Sequence, residues 1–261
     1  MLEMREELYQ LKSSIYGKQM EELLLDEMNQ SDENIKKHLL ASNGRFKPVY
    51  VQVHVKGIKA TDYYKWQSKA MAQVMIGTPK KRKELLLSTV LPTHPEHYML
   101  RFSGIVPGLV ETLGGLPTNA CVAVFGKTPQ FVRDVRDETY PNRSFPTVML
   151  QDKTKWSYGL TEYRDTAEGG DFKLRVWWPE ACPDLYFEDH TRHFAVEYRN
   201  FIRLAYDALQ GTDKILGDLE ITYDTMFGEV DEQQVDQWEI KAATRALNNL
   251  RSLMKEHNLK I

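Results

Sequence analysis

The chain has 261 residues, of which 42% are hydrophobic and 11% aromatic, and its formal net charge is -3. This length supports a core of ordinary size, in one domain of mixed structure with extensions or in two small ones, and the balanced charge argues against binding to nucleic acid or a membrane surface. The N-terminus does not read as a signal peptide, no run approaches the ~18 apolar residues of a membrane span, and two cysteines cannot form a disulfide framework. We therefore expect a cytoplasmic protein.

Residues 1–45 are predicted to form a helical arm. Leu8 belongs to an apolar stripe at helical spacing, and Gly17 is expected to weaken or break the helix. Ser31 is a plausible cap for a second short helix over 35–40. No chemistry is visible here, and we interpret the arm as a docking or oligomer contact.

Residues 46–210 contain several predicted strands followed by one long helix over 189–206. A helix is predicted to begin at Thr61, and the strands are indicated by alternating or apolar runs at 49–55, 106–115, 119–125, 145–150, 156–164 and 172–178. An antiparallel sheet needs a cover on one face, and the long helix is the available cover. A cavity between sheet and helix is a natural site for a small molecule. Six side chains could line it or simply fill the core: Phe125, Met149, Trp156, Tyr158, Trp177 and Trp178.

The long helix carries a histidine and an acid on one face. His193 and Glu197 are four residues apart, so their side chains emerge one above the other, and His190 lies near the same line. The pair is either a salt bridge or half of a metal site. Imidazole and carboxylate together suit zinc or a neighbouring divalent metal.

Two further places in the chain offer metal-binding side chains. His94 and His97 flank Pro95 where a loop enters a strand, and they are either ligands or solvent-exposed loop histidines. Glu111 lies within an apolar, strand-like stretch bounded by glycines. A carboxylate there must be paired, coordinated or turned towards solvent.

Several segments carry motifs in a fixed order. They are His94-Pro95-Glu96-His97, then Val110-Glu111-Thr112-Leu113-Gly114, a strand ending in Phe125 with Pro129 in the next turn, an Asp-Thr-x-x-Gly turn at 165–169 with an Arg-x-x-Trp ending at 175–178, and finally His193 with Glu197. Over residues 48–209 these motifs together resemble the diacetylphloroglucinol hydrolase and phloretin hydrolase family.

The resemblance implies an α+β helix-grip fold, similar to START and Bet v 1 proteins, in which a curved antiparallel sheet is covered by a long helix. It also implies a zinc ion held by two histidines and two glutamates. On this chain the ligands would be His97 (or His94), Glu111, His193 and Glu197.

The family cleaves a carbon–carbon bond between a phenolic ring and an acyl group with water, so the resemblance implies an aromatic or polyketide-type substrate. A ring carbon leaves poorly unless an acid protonates it. We name Glu162, Tyr158 and His94 as candidate catalytic residues, although the family has a histidine near the position of Glu162. The alternative for Glu162 is a structural ion pair with Arg164 or Arg175.

The same residues are also compatible with two other functions. One is a helix-grip protein that binds an aromatic or lipid-like ligand without converting it. The other is a related metal-dependent hydratase, decarboxylase or cyclase. Convergence of the four ligand candidates on one point would favour an enzyme over a binding protein.

Residues 211–261 are predicted to be a helical extension. The stretch 211–228 looks loop-like, and a long helix with an apolar side follows over 230–257. Such a helix often packs on a partner subunit, which suggests a homo-oligomer. The alternative is packing against the N-terminal helices of the same chain.

Overall fold

The structure, a computed structural model, describes residues 2–103, 106–123, 127–213 and 216–259. The predicted strand end at Phe125 therefore lies outside the described residues. The helices are α1 (Leu2–Ile15), α2 (Lys18–Ser42), α3 (Ala60–Ile76), α4 (Pro79–Leu85), α5 (Gln130–Arg133), α6 (Asp184–Leu209) and α7 (Glu232–Glu256). A π-helical turn (Leu86–Val90) and a 3-10 turn (Leu91–Thr93) follow α4. Among the described residues, no helix combines the length and apolar character needed to cross a membrane.

One large antiparallel sheet forms the centre of the molecule, which confirms the predicted α+β class. Its strands are β1 (Phe46–Lys56), β2 (His97–Ser103), β3 (Val106–Leu113), β4 (Leu116–Ala123), β5 (Asn142–Ser144), β6 (Thr147–Met149), β7 (Lys155–Asp165), β8 (Gly169–Pro179), β9 (Glu220–Thr225) and β10 (Gly228–Val230). Their spatial order is β10-β9-β1-β8-β7-β6-β4-β3-β2, and β5 pairs with β7 beside this path.

Helix α6 lies across one face of the sheet, which we call the inner face. Val51 and Val53 of β1 and Leu174 of β8 alternate towards this face and are fully or almost fully buried. Val196 and Ile202 of α6 belong to the same buried cluster. Because strand side chains alternate between faces while helix side chains recur every three to four residues, these two patterns meet in one core.

The N-terminal arm contains two helices, but their boundaries differ from the prediction. Gly17 breaks the helix as expected, with a φ of 104°. Ser31 does not cap a second short helix, because α2 runs without interruption from Lys18 to Ser42. The Ser31 hydroxyl is fully buried and bonds to the Thr118 hydroxyl on β4, so α2 is fastened to the sheet at this point.

The C-terminal part is not only helical, which corrects the predicted extension. Strand β9 pairs with β1, so residues after 211 complete the same sheet as residues 46–210. Its alternation of buried and exposed residues extends over only six positions, which is too short to distinguish it from the loop that the sequence predicts there.

Helix α7 packs against the N-terminal helices of its own chain. Its apolar side chains Leu247 and Leu250 lie in one buried cluster with Leu8 and Leu11 of α1. This is the alternative to packing on a partner subunit, and the apolar side of α7 therefore does not by itself indicate a homo-oligomer.

A glycine pair joins β3 to β4 and fixes the hairpin against α6. Gly114 and Gly115 have φ values of 60° and 88°, which suit a two-residue hairpin turn and disfavour other residues. A Cβ on Gly114 would lie 2.1 Å from ring carbons of Tyr186 in the first turn of α6, whereas one on Gly115 would meet open space.

We expect Gly114→Ala to destabilise the protein by about 2–4 kcal/mol, because left-handed strain adds to overpacking against the Tyr186 ring. The matched change Gly115→Ala carries only the backbone strain and is expected to cost about 1–2 kcal/mol. Urea unfolding of the two variants measures the difference. Equal losses would show that the contact with Tyr186 is not tight.

Candidate metal centre

Three buried histidines come together between the sheet and α6. His94 and His97 are supplied by the loop that enters β2, and His193 is supplied by α6. One ring nitrogen of each lies within 4.8 Å of the others, and all three residues are at most 3% exposed. Three imidazoles this close to one another can bind a metal ion.

Glu111 reaches the histidines because of the strand register. It lies directly opposite His97 in the β2–β3 pair, and directly opposed side chains project from the same face of a sheet. The register shifts between His97 and Met99, and such bulges often re-aim a side chain. Glu111 Oε2 lies 3.0 Å from His193 Nε2 and 3.6 Å from His97 Nε2.

Glu197 approaches from α6, one turn beyond His193. Its Oε1 lies 3.9 Å from His97 Nε2, while the Nε2 atoms of His97 and His193 are 3.0 Å apart. Two ligands of a tetrahedral zinc ion are about 3.3 Å apart when each bond is about 2.0 Å. The separations among His97, Glu111 and His193 are thus close to those of ligands that share an ion, and Glu197 lies next to His97.

Hydrogen bonds distinguish the two loop histidines. His97 Nδ1 lies 3.0 Å from the carbonyl oxygen of Val90, the last residue of the π-helical turn. Because a carbonyl only accepts, Nδ1 carries the proton and Nε2 keeps its lone pair. His94 Nδ1 instead accepts from the backbone N–H of Glu96 at 3.2 Å, which leaves the proton on its Nε2.

His94 therefore contributes to the cluster in a different way from His97. Its ring stacks on that of His193 with 3.6 Å between centroids and an angle of 21°. Burial and the neighbouring histidines hold the pKa of His94 well below its usual range, so it is a neutral imidazole. We assign it the role of a hydrogen-bond donor beside the cluster.

The charges at the cluster are set by burial and by pairing. Burial alone would raise the pKa of Glu111, but the neighbouring His193 and His97 rings outweigh it and hold that pKa well below its usual range. Burial alone would lower the pKa of His193, but Glu111 raises it. Burial raises the pKa of Glu197 against the pull of both histidines. A doubly charged cation would satisfy both carboxylates at once.

An apolar cavity of about 230 Å³ opens onto the cluster from the inner face of the sheet. Glu111, Glu197 and His190 contribute its polar wall, and Trp178 and Phe194 are among its aromatic side chains. Burial, with neighbouring His193, lowers the pKa of His190 to about 3, so this imidazole is neutral. A second, polar cavity of about 360 Å³ reaches His94 and His193 from the side of α7.

Tyr158 and Glu162 lie on the opposite face of β7, against Phe131 and Asp137, and this corrects the expectation that they act at the site. Neither residue lines the apolar cavity, whereas Thr161 does. Tyr158 packs on Phe46 and Phe131. Glu162 accepts from the backbone N–H of Asp137 and lies 3.6 Å from Arg175, so the structural ion pair is the arrangement found.

Tyr158 and Glu162 miss the cavity because successive side chains of a strand point to opposite faces of the sheet. From Tyr158 to Arg164 the even-numbered positions of β7 face away from α6, and an alternation count cannot decide this before the inner face is known. Trp156 does not follow the rule, because the β6–β7 register shifts beside it. Trp156 and Trp178 line the cavity, as anticipated, while Trp177 packs with Leu160 on the other face. Phe125 lies outside the described residues.

The sequence-based expectations assign no role to one buried residue beside the cluster. Lys12 of α1 is 3% exposed and reaches the loop that carries His94 and His97. The available signal was a lysine within the apolar stripe of Leu8, Leu11 and Ile15, where a solvated side chain does not belong.

No protein-family model and no curated protein matches the chain. Among solved structures, an uncharacterised protein from Rhizobium leguminosarum is similar over 62% of this chain and 99% of its own, with 14% sequence identity and a TM-score of 0.31. A likeness of that size carries no conclusion about function.

Proposed function

We propose that this protein is a zinc-dependent hydrolase with a helix-grip fold that cleaves the carbon–carbon bond between an acyl group and a phenolic ring. The observation that carries the proposal is the meeting of two imidazole Nε2 atoms and two carboxylates at the wall of an apolar cavity. The residues come from β2, β3 and α6, three elements that are distant in sequence. The resemblance of the loop, strand and helix motifs to acyl-phenol hydrolases supports the same reading.

His97, His193, Glu111 and Glu197 would hold the metal ion. Two nitrogen and two oxygen donors suit zinc, and the Nδ1 bond from His97 to the Val90 carbonyl is the kind of support that orients a ligating imidazole. When bound, such an ion lowers the pKa of a water molecule towards ~7 and polarises a carbonyl group.

The cavity selects the substrate by size and by surface. At about 230 Å³ it is smaller than the ~300–1,000 Å³ of typical pockets for drug-sized ligands, so it suits one aromatic ring better than a lipid chain. Trp178 and Phe194 offer ring faces. Their apolar surface also keeps bulk water from the reacting bond.

The carbon leaving group must take up a proton while the acyl carbon takes up a hydroxyl, which yields a carboxylic acid and a phenol. Tyr158 and Glu162 lie on the other face of the sheet, so another residue must supply this proton. Tyr198 lines the cavity, and burial raises its pKa to about 12. Its hydroxyl therefore carries a proton near neutral pH, and we assign proton delivery to Tyr198. His94 lines the second, polar cavity and not this one.

Elemental analysis and an assay with acylated phenols test the proposal. We expect about one zinc ion per chain, and we expect Glu197→Gln to weaken zinc affinity by at least tenfold and to abolish turnover. Glu188→Gln is the matched control, because Glu188 lies on the same helix but is 44% exposed in its side chain and pairs with Arg192. Full activity of the metal-free wild type would refute the hydrolase.

A ligand-binding protein is the second candidate, because Tyr158 and Glu162, the two proton donors predicted on β7, do not line the cavity. In that case acylated phenols would quench the fluorescence of Trp178 but would be recovered unchanged. The same screen separates the two functions, since only the hydrolase releases a carboxylic acid.

A further inference from the structure

A buried ammonium group from the N-terminal helix contacts the loop that carries His94 and His97. Lys12 Nζ lies 2.5 Å from the carbonyl oxygen of Pro95 and 2.6 Å from that of His97. These two carbonyls stand on either side of Glu96. The lysine therefore bridges the loop where it turns into β2.

Lys12 occupies a position where an apolar residue would serve packing better. Leu8, Leu11 and Ile15 surround it on α1 and belong to the buried cluster shared with α7. Removing an ammonium from water costs several kcal/mol, and burial lowers the pKa of Lys12 to about 7 against the pull of Glu96. What lysine adds, and what leucine or methionine would lack, is the pair of hydrogen bonds to the loop.

The same helix supports the beginning of the loop through Arg5. Arg5 is seven residues, or two helical turns, before Lys12 and lies on the same side of α1. It donates to Asn200 Oδ1 at 3.1 Å, and Asn200 Nδ2 donates to the carbonyl of Thr93 at 3.0 Å. Helix α1 thus holds the loop before His94 and at His97.

We propose that α1 belongs to the metal centre and that Lys12 is a positioning residue, which fixes the His97 imidazole for metal binding. The inference rests on the proposed metal site. It replaces the expectation that the N-terminal arm is only a docking surface, and it predicts that metal affinity depends on a side chain that touches no metal.

The test compares Lys12→Met with wild type in Zn²⁺ affinity, measured by chelator competition, and in the visible spectrum of the Co²⁺-loaded protein. We expect Lys12→Met to weaken Zn²⁺ binding by about 10–100-fold, the effect usual for a residue that orients a ligand, and to change the Co²⁺ spectrum. Lys83→Met is the control. Lys83 also donates to a backbone carbonyl, that of Ser13, but does not contact the loop, so its affinity and spectrum should match wild type.

A measurement on the wild-type protein does not depend on whether Lys12→Met folds. An amine-reactive reagent modifies Lys12 only when its amine has left the two carbonyls, and by linkage bound Zn²⁺ makes that released state rarer. Modification of Lys12 should therefore slow at least threefold when Zn²⁺ is bound, with Lys83 unchanged, as read by mass spectrometry. The positioning role of Lys12 would be overturned if folded Lys12→Met bound Zn²⁺ within threefold of wild type. It would also be overturned if Lys12 were labelled equally with and without Zn²⁺. Either result would leave the proposed function standing. Failure of the wild type to bind Zn²⁺ would instead overturn the proposed function.

Discussion

Replacing His97 with alanine is expected to reduce zinc affinity by more than about 100-fold, beyond the range seen when only a supporting residue is lost. His97 is the loop histidine whose Nε2 lone pair faces His193 and Glu111, because its Nδ1 donates to the Val90 carbonyl. Chelator competition with Zn²⁺, followed by measurement of the metal retained after gel filtration, gives the affinity.

His94→Ala is the matched variant, since His94 is equally buried and lies three residues away in the same loop. It is expected to lose no more than about tenfold in affinity, because its Nδ1 accepts the Glu96 N–H and its ring only stacks on His193. The opposite order of the two losses would show that His94 is the ligand and would reverse the assignment of tautomers.

Glu239→Ala is expected to cost about 3–5 kcal/mol of folding stability, the largest loss that we predict for a single residue outside the cluster. Glu239 of α7 is 1% exposed and forms a salt bridge with Arg199 of α6, which is fully buried. It also accepts from Arg5 and from Asn200 at its other oxygen. Removing it leaves the buried guanidinium of Arg199 without its buried partner.

Asp236→Ala is the control for this change. Asp236 accepts from the same Arg199 at 2.7 Å, but its side chain is 48% exposed, so its loss should cost about 1 kcal/mol or less. Urea unfolding of both variants in the metal-free state measures the two losses. Similar small losses would mean that water reaches Arg199 and that the network is not a buried one.

The Glu239 network and the candidate metal centre share one residue. Asn200 contacts Glu239 on one side and the Thr93 carbonyl on the other. The contacts that hold α7 on α6 therefore also hold the loop before His94. A weakened network should lower metal affinity as well as stability, and Asp236→Ala should lower neither by much.

Local sequence determined the elements and the chemistry that they carry. The apolar stripes predicted the long helices, the alternating runs predicted β1, β7 and β8, and the spacing of His193 and Glu197 placed both side chains on one face of α6. These features depend on the fixed periods of helix and strand, so they can be read without knowing where any element packs.

Only the tertiary structure decided which of these side chains meet. The β2–β3 register sets Glu111 opposite His97, the direction of β7 turns Tyr158 and Glu162 away from α6, and the packing of α1 on α7 brings Lys12 to the loop. Each outcome depends on contacts between residues that are distant in sequence, and a change of one position in register would reverse the face of every side chain on a strand.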